Sequence, residues 1–134
     1  MPPESALAIE SQVDVEHARR WARTMARSVG FGPTDTESVV LSVSELATNL
    51  LRYAQAGLIL LTLLCELERC GICVESRDTG PGIENLDHAL ADGFSTRGGL
   101  GSGIASVRRL MDDFVIESGP SGTVIVANKW VPDH

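Results

Sequence analysis

The 134 residues carry a formal net charge of −7, with 43% hydrophobic and 22% charged side chains. That length suits one domain able to bury about two thirds of its unfolded surface, and the composition is that of a soluble globule. The acidic balance argues against a nucleic-acid partner, and any bound polyphosphate must be held by local devices, not by the overall field. Met1-Pro2-Pro3-Glu4-Ser5 has neither the basic nor the apolar region of a targeting peptide. The apolar run at residues 58–64 is too short to cross a bilayer. A cytoplasmic protein with no membrane association is expected. Cys65, Cys70 and Cys73 are odd in number and clustered, which suits reduced thiols and not a secreted disulfide framework. Cys70 and Cys73 have C-x-x-C spacing, at a hairpin tip entering a strand, with no second pair to complete a metal tetrahedron.

Residues 6–10 are a short strand with weak alternation. Asp14 suits an N-cap, and the spacing predicts a helix over residues 15–29 closed by Gly30. Val15, Ala18, Ala22, Met25, Ala26 and Val29 form its apolar stripe, with Arg19, Arg20, Arg23 and Arg27 off it. Those arginines read as a solvated face or as a docking surface for an acidic partner. Thr34 and Glu37 have the T-x-x-E spacing of a capping box, and a second helix is expected over residues 35–54. Val39, Val40, Leu41, Val43, Leu46, Leu50 and Leu51 cover most of its circumference, so it is largely buried. Gly57 ends it. Residues 58–67 and 71–78 read as two strands joined by a turn, and residues 85–92 as a short helix. Residues 103–111 have helical spacing, and residues 114–118 and 123–127 form a hairpin. The order β-α-α-β-β-α-α-β-β predicts an α+β fold: a two-layer α/β sandwich, its sheet mixed but mostly antiparallel, with helices on one face.

Two features within this frame carry chemistry. The first is the stretch from Asp78 to Gly103. It opens with Asp78-Thr79-Gly80-Pro81-Gly82-Ile83 after an apolar strand and closes with Gly98-Gly99-Leu100-Gly101-Ser102-Gly103 at the start of a helix. Glycines let the backbone approach a ligand closely. A glycine run opening a helix aims unpaired N–H groups at whatever sits there, and phosphate suits that position. Phe94-Ser95-Thr96-Arg97 between the loops has few packing anchors and reads as a lid. Taken singly, either loop is an ordinary turn; together they point to a nucleotide. The second feature is Ser42, Glu45 and Asn49, which share one face of the buried second helix. A buried acid and amide need partners, either in a neighbouring strand or loop or in a ligand. Asn49 can offer its oxygen to Mg²⁺, and Glu45 can accept a proton from an attacking hydroxyl.

Glu45-x-x-x-Asn49, the D-x-G-x-G of Asp78 to Gly82, the run from Gly98 to Gly103, and Gly122-Thr123 resemble, in that order, the N, G1, G2 and G3 boxes of the GHKL ATPase/kinase superfamily. The resemblance runs from about residue 34 to the C-terminus and implies a single ATP-binding kinase domain with the Bergerat fold over residues 1–134. The chain shows neither a dimerisation helix with a phospho-acceptor histidine nor a transducer domain. It is therefore most similar to the stand-alone serine/threonine switch kinases, a group that includes anti-sigma factors. Ser44-Glu45-Leu46-Ala47, Asp92-Gly93-Phe94-Ser95-Thr96 and Arg109-Leu110-Met111-Asp112 resemble the RsbT-like kinases of the stressosome, and Tyr53 stands where anti-sigma relatives usually have histidine. The resemblance implies Glu45 as general base and Asn49 as Mg²⁺ ligand. It implies Asp78 as acceptor of the adenine amino group with Thr123 nearby, and Gly80 and Gly82, beside Ile83, near base and sugar. Gly98, Gly99, Leu100, Gly101, Ser102 and Gly103 would hold the phosphates of ATP, with Arg97 either at the terminal phosphate or exposed on the lid. It further implies phosphorylation of STAS-domain stressosome proteins (RsbS- or RsbR-like) and, once the kinase is released, activation of a PP2C-type, RsbU-like phosphatase. Two alternatives stand beside this: an anti-sigma factor that binds and silences a sigma subunit, and a module in which ATP is bound without phosphate transfer.

Overall fold

The structure, a computed structural model, describes residues 4–54, 56–80 and 100–132. Strand β1 (Glu4–Ile9) leads into helices α1 (Gln12–Val29) and α2 (Pro33–Asn49), and α2 widens into a π-helical turn, Leu50–Ala54. Strands β2 (Gly57–Cys65) and β3 (Cys70–Asp78) follow, then helix α3 (Leu100–Leu110), β4 (Asp113–Gly119) and β5 (Gly122–Trp130). The five strands form one sheet in the order β1-β2-β3-β5-β4. The order of elements predicts a mixed sheet; each described pairing is antiparallel. β2–β3 and β4–β5 are hairpins, and β5 runs back against β3, so no parallel pair arises. The short helix expected at residues 85–92 and the lid at residues 94–97 lie outside the described residues.

Alternation along the strands decides where the core sits. Ile59 and Leu61 of β2, Ile72 and Val74 of β3, and Ile125 and Ala127 of β5 all point to one buried face. Val15, Ala18 and Ala22 of α1, Val39, Val43 and Leu46 of α2, and Ile104 and Val107 of α3 complete the same cluster. Burial of each large aliphatic contributes about 1.5–3 kcal/mol relative to exposure. The opposite face of the sheet carries exposed Leu58, Arg77 and Val115. The helices thus lie on one face, as the two-layer reading requires.

The helix boundaries show which local signals won. Ser11, not Asp14, is the N-cap of α1. Asp14 sits at the third helical position and accepts hydrogen bonds from the backbone N–H groups of Glu10 (2.9 Å) and Ser11 (3.1 Å). Both residues can cap, and the reciprocal box favours the earlier start. Gly30 closes α1 with φ 112°, its N–H donating to Ala26 and Arg27. In α2 the expected Thr34–Glu37 capping box does not form. Pro33 occupies the first turn behind Gly32, a position where its missing N–H costs nothing. Glu37 instead accepts two hydrogen bonds from the Arg23 guanidinium, at 3.1 and 3.0 Å, tying α1 to α2. That bond, helped by the charges of Arg23, Arg27 and Arg19, holds the Glu37 carboxyl below its ordinary pKa. The arginines of α1 therefore serve in part to bind the two helices. Lys129 of β5 donates to the Leu110 carbonyl at 2.8 Å, satisfying the C-terminus of α3, and lies 3.8 Å from Asp35 in the first turn of α2. These contacts fix α3 against α2.

Cys70 and Cys73 do not form a dithiol pair. Three positions apart on β3 they point to opposite faces, with Cys65 opposite Cys70 and Thr62 opposite Cys73. No disulfide joins the three cysteines.

Candidate nucleotide site

The last two turns of α2 and the first turn of α3 meet face to face. Ser42, Glu45 and Asn49 share one stripe of α2; Ser42 is fully buried, Glu45 and Asn49 half-buried. Opposite them stands Gly103. A Cβ built there would lie 2.7 Å from Glu45 Oε2 and 3.6 and 3.7 Å from the side-chain oxygen and nitrogen of Asn49. Only glycine lets the α3 backbone come this close while leaving the carboxylate in place. Leu100, Gly101 and Ser102 form the start of α3. Its first-turn N–H groups, which have no acceptor within the helix itself, and its positive dipole end therefore lie one turn or less from an acid and an amide.

Two polar atoms here lack partners among the described residues: Asn49 Nδ2 and Ser42 Oγ. A buried unsatisfied donor costs about 1–3 kcal/mol, so the Asn49 amide calls for a partner beyond the described side chains. Asn49 also has a hard oxygen suited to Mg²⁺. No cluster of three His, Cys, Asp or Glu able to hold a metal exists among the described residues. That donor set fits an ion completed by phosphate oxygens and water.

A second group forms at the end of β3. Asp78 Oδ1 accepts from the Gly80 N–H at 2.8 Å, a local turn that fixes the carboxylate's orientation. A Cβ on Gly80 would meet Ala54 Cβ at 3.2 Å, so this turn packs on the end of the π-helical segment that continues from Asn49. π-Turns are frequent at functional sites. Thr123 pairs with Asp78 in the β3–β5 ladder, is nearly buried, and shares a 2.7 Å hydrogen bond with Ser118. The tertiary structure thus brings Glu45, Asn49 and Gly103 together, and separately Asp78, Gly80 and Thr123. Leu50–Ala54 links the two groups. Gly82, Ile83, Gly98, Gly99 and Arg97 lie outside the described residues. Ser118 joins this group because the Gly119–Gly122 turn, visible as a glycine-bounded turn in the sequence, fixes a register that sets it opposite Thr123.

Residues 10–129 match the family model described as a histidine kinase-like ATPase domain. The chain belongs to the histidine kinase-like ATPase family. It is also 38% identical over 132 residues to the serine/threonine-protein kinase RsbT of Bacillus subtilis (strain 168), covering 98% of this chain and 99% of that one. This places it among RsbT-like serine/threonine kinases that use ATP. Two solved structures share the fold at low identity. One is the SiaB–SiaC complex from Pseudomonas aeruginosa, with TM-score 0.57 and 12% identity over 96% of this chain and 89% of that chain. The other is the histidine kinase domain of the Erythrobacter litoralis EL346 blue-light activated histidine kinase, with TM-score 0.51 and 19% identity over 86% of this chain and 63% of that chain. Among the described residues, no helix of this RsbT-like kinase is long and apolar enough to cross a membrane.

Proposed function

We propose that this chain, a single cytoplasmic kinase domain, transfers the terminal phosphoryl group of ATP to a serine or threonine of a STAS-domain stressosome protein. Released from that partner, it then activates a PP2C-type phosphatase. The observation that supports the enzymatic part is the approach of Gly103 to Glu45 and Asn49, a carboxylate and an amide beside a helix N-terminus.

Phosphoryl transfer asks mainly for positioning and charge neutralisation. The first-turn N–H groups of α3, from Leu100, Gly101, Ser102 and Gly103, would receive phosphate oxygens, joined by Gly98 and Gly99. Asn49 would hold Mg²⁺ through its side-chain oxygen; when bound, the ion neutralises charge on the phosphates. Glu45 would take the proton of the substrate hydroxyl. Asp78, its carboxylate already oriented by the Gly80 N–H, would accept from the adenine amino group beside Thr123, with Gly80, Gly82 and Ile83 against base and sugar. The partner assignment is supported by the similarity to RsbT and by a fold relative solved as a two-protein complex. The anti-sigma reading lacks comparable support, because the relative that is 38% identical is named as a serine/threonine-protein kinase.

The test is incubation with labelled ATP, Mg²⁺ and a STAS-domain substrate, followed by addition of a PP2C-type phosphatase. Phosphate should reach the substrate, and Glu45→Gln should slow transfer about 10²- to 10⁴-fold while ATP still binds. No transfer by the parent protein, or undiminished transfer by Glu45→Gln, refutes the reading. An unchanged phosphatase rate on adding the kinase refutes its second half.

A further inference from the structure

The β2–β3 hairpin ends in a pair of thiols that the nucleotide site does not use. Cys65 and Cys70 stand directly opposite each other in the ladder, their Sγ atoms 2.9 Å apart. The backbone accounts for this. The Glu66 N–H donates to the Arg69 carbonyl at 2.8 Å. Alternation along an antiparallel ladder then makes the next pair inward, Cys65 and Cys70, a non-hydrogen-bonded one, where opposed side chains lie closest. Such a pair has the Cα separation a disulfide needs. Both cysteines share the helix-side face with Ile59, Leu61, Ile72 and Val74, but sit where the buried core has run out: Cys65 is exposed and Cys70 half-buried. A cleft of about 320 Å³ lined by Val29, Leu67, Cys70 and Val131, among others, opens over Cys70.

We propose that Cys65 and Cys70 are a redox pair that a hydroperoxide closes into an intramolecular disulfide, clamping the tip of the β2–β3 hairpin. Cys65 is the attacking sulfur, being the more exposed. Cys70 retains its proton, because the bond to Cys65, with burial behind it, raises the thiol's pKa. The Cys65 thiolate attacks a peroxide oxygen, the O–O bond breaks, and the departing hydroxide takes a proton to leave as water. Cys65 is then a sulfenic acid. The Cys70 sulfur attacks Cys65 Sγ, the S–O bond breaks, and the second water leaves with the Cys70 proton. Two thiols and one hydrogen peroxide give one disulfide and two waters. A small neutral oxidant suits the place: Glu66 is already paired with Arg69 at 3.1 Å, which leaves Glu68 as the unpaired charge beside the thiols among the ion pairs described, and hydrogen peroxide needs no charged docking partner.

The experiment treats the full chain with hydrogen peroxide, alkylates the remaining thiols and maps peptides without reduction. The expected result is a Cys65–Cys70 linked peptide, alkylated Cys73, and a melting temperature raised by about 3–8 °C and restored by reductant. Cys73→Ser should change neither result, and Cys65→Ser and Cys70→Ser should each abolish the rise. Three alkylatable thiols after treatment, a link through Cys73 or between chains, or sulfinic acid formed without any link would each overturn the proposal.

Discussion

At Gly103 an added methyl group would meet Glu45 Oε2 at 2.7 Å, and two effects compete there. Alanine is favoured over glycine inside a helix by up to about 1 kcal/mol, and the obstructing atom is the far end of a flexible side chain, which can swing aside at little cost. Stability should therefore change by less than about 1 kcal/mol in Gly103→Ala. The displaced carboxylate is the proposed base, however, so phosphoryl transfer should fall at least tenfold, as thermal melting and a kinase assay on one preparation would show. Gly122 is the contrasting case. Its φ is 140°, and a Cβ would meet the Asp78 carbonyl oxygen at 2.1 Å, an atom of the backbone that cannot swing away. Gly122→Ala should cost about 2–4 kcal/mol from strain and overpacking together, read as a lowered urea midpoint. An unchanged midpoint would contradict the tight β3–β5 approach that sets Thr123 beside Asp78. Glycine thus has two uses in this chain, room for a functional side chain at one position and room for the sheet at the other.

Elements are locked together at the end of the sheet away from Asp78 by a small polar network. Asp113 at the start of β4 accepts from Trp130 Nε1 (2.9 Å) and Asn128 Nδ2 (3.2 Å) of β5, while Arg69 lies over the Trp130 ring at 3.6 Å. The hydrogen bond from Trp130, then that from Asn128, holds the Asp113 carboxyl below its ordinary pKa, with Arg69 adding to the effect. A carboxyl whose pKa falls on folding stabilises the native state above its unfolded value, about 3.9. That contribution is lost as pH drops through the lower folded value. Asp113→Asn should therefore weaken the loss of stability as pH falls below about 4. Urea midpoints measured over that range check this, and an identical slope in both proteins would show that the network carries no linked charge. The same scale explains the helix boundaries: Ser11 and Asp14 are both competent caps, and α2 starts at Pro33 behind the Gly32 cap while Glu37 pairs with Arg23.

For the whole molecule the net charge of −7 opposes binding of a nucleoside triphosphate at long range, so affinity must come from the local site. Binding to the native state alone at about 100 times Kd adds about 2.7 kcal/mol, which in a chain of this size raises the melting temperature by about 9 °C. ATP with Mg²⁺ should give a rise of that order, and ATP with a chelator a much smaller one. Equal shifts would remove the metal from the proposed site. The apolar stripes of α1 and α2, the two hairpins, the glycine run at the head of α3 and the common face of Ser42, Glu45 and Asn49 were legible in the sequence, because side-chain period and backbone freedom are properties of a few adjacent residues. The approach of Gly103 to Glu45, the capture of Glu37 by Arg23, the all-antiparallel register and the meeting of Cys65 with Cys70 were decided only in three dimensions. Each depends on how distant segments dock once loops have closed, and neither propensity nor spacing within a segment specifies that register.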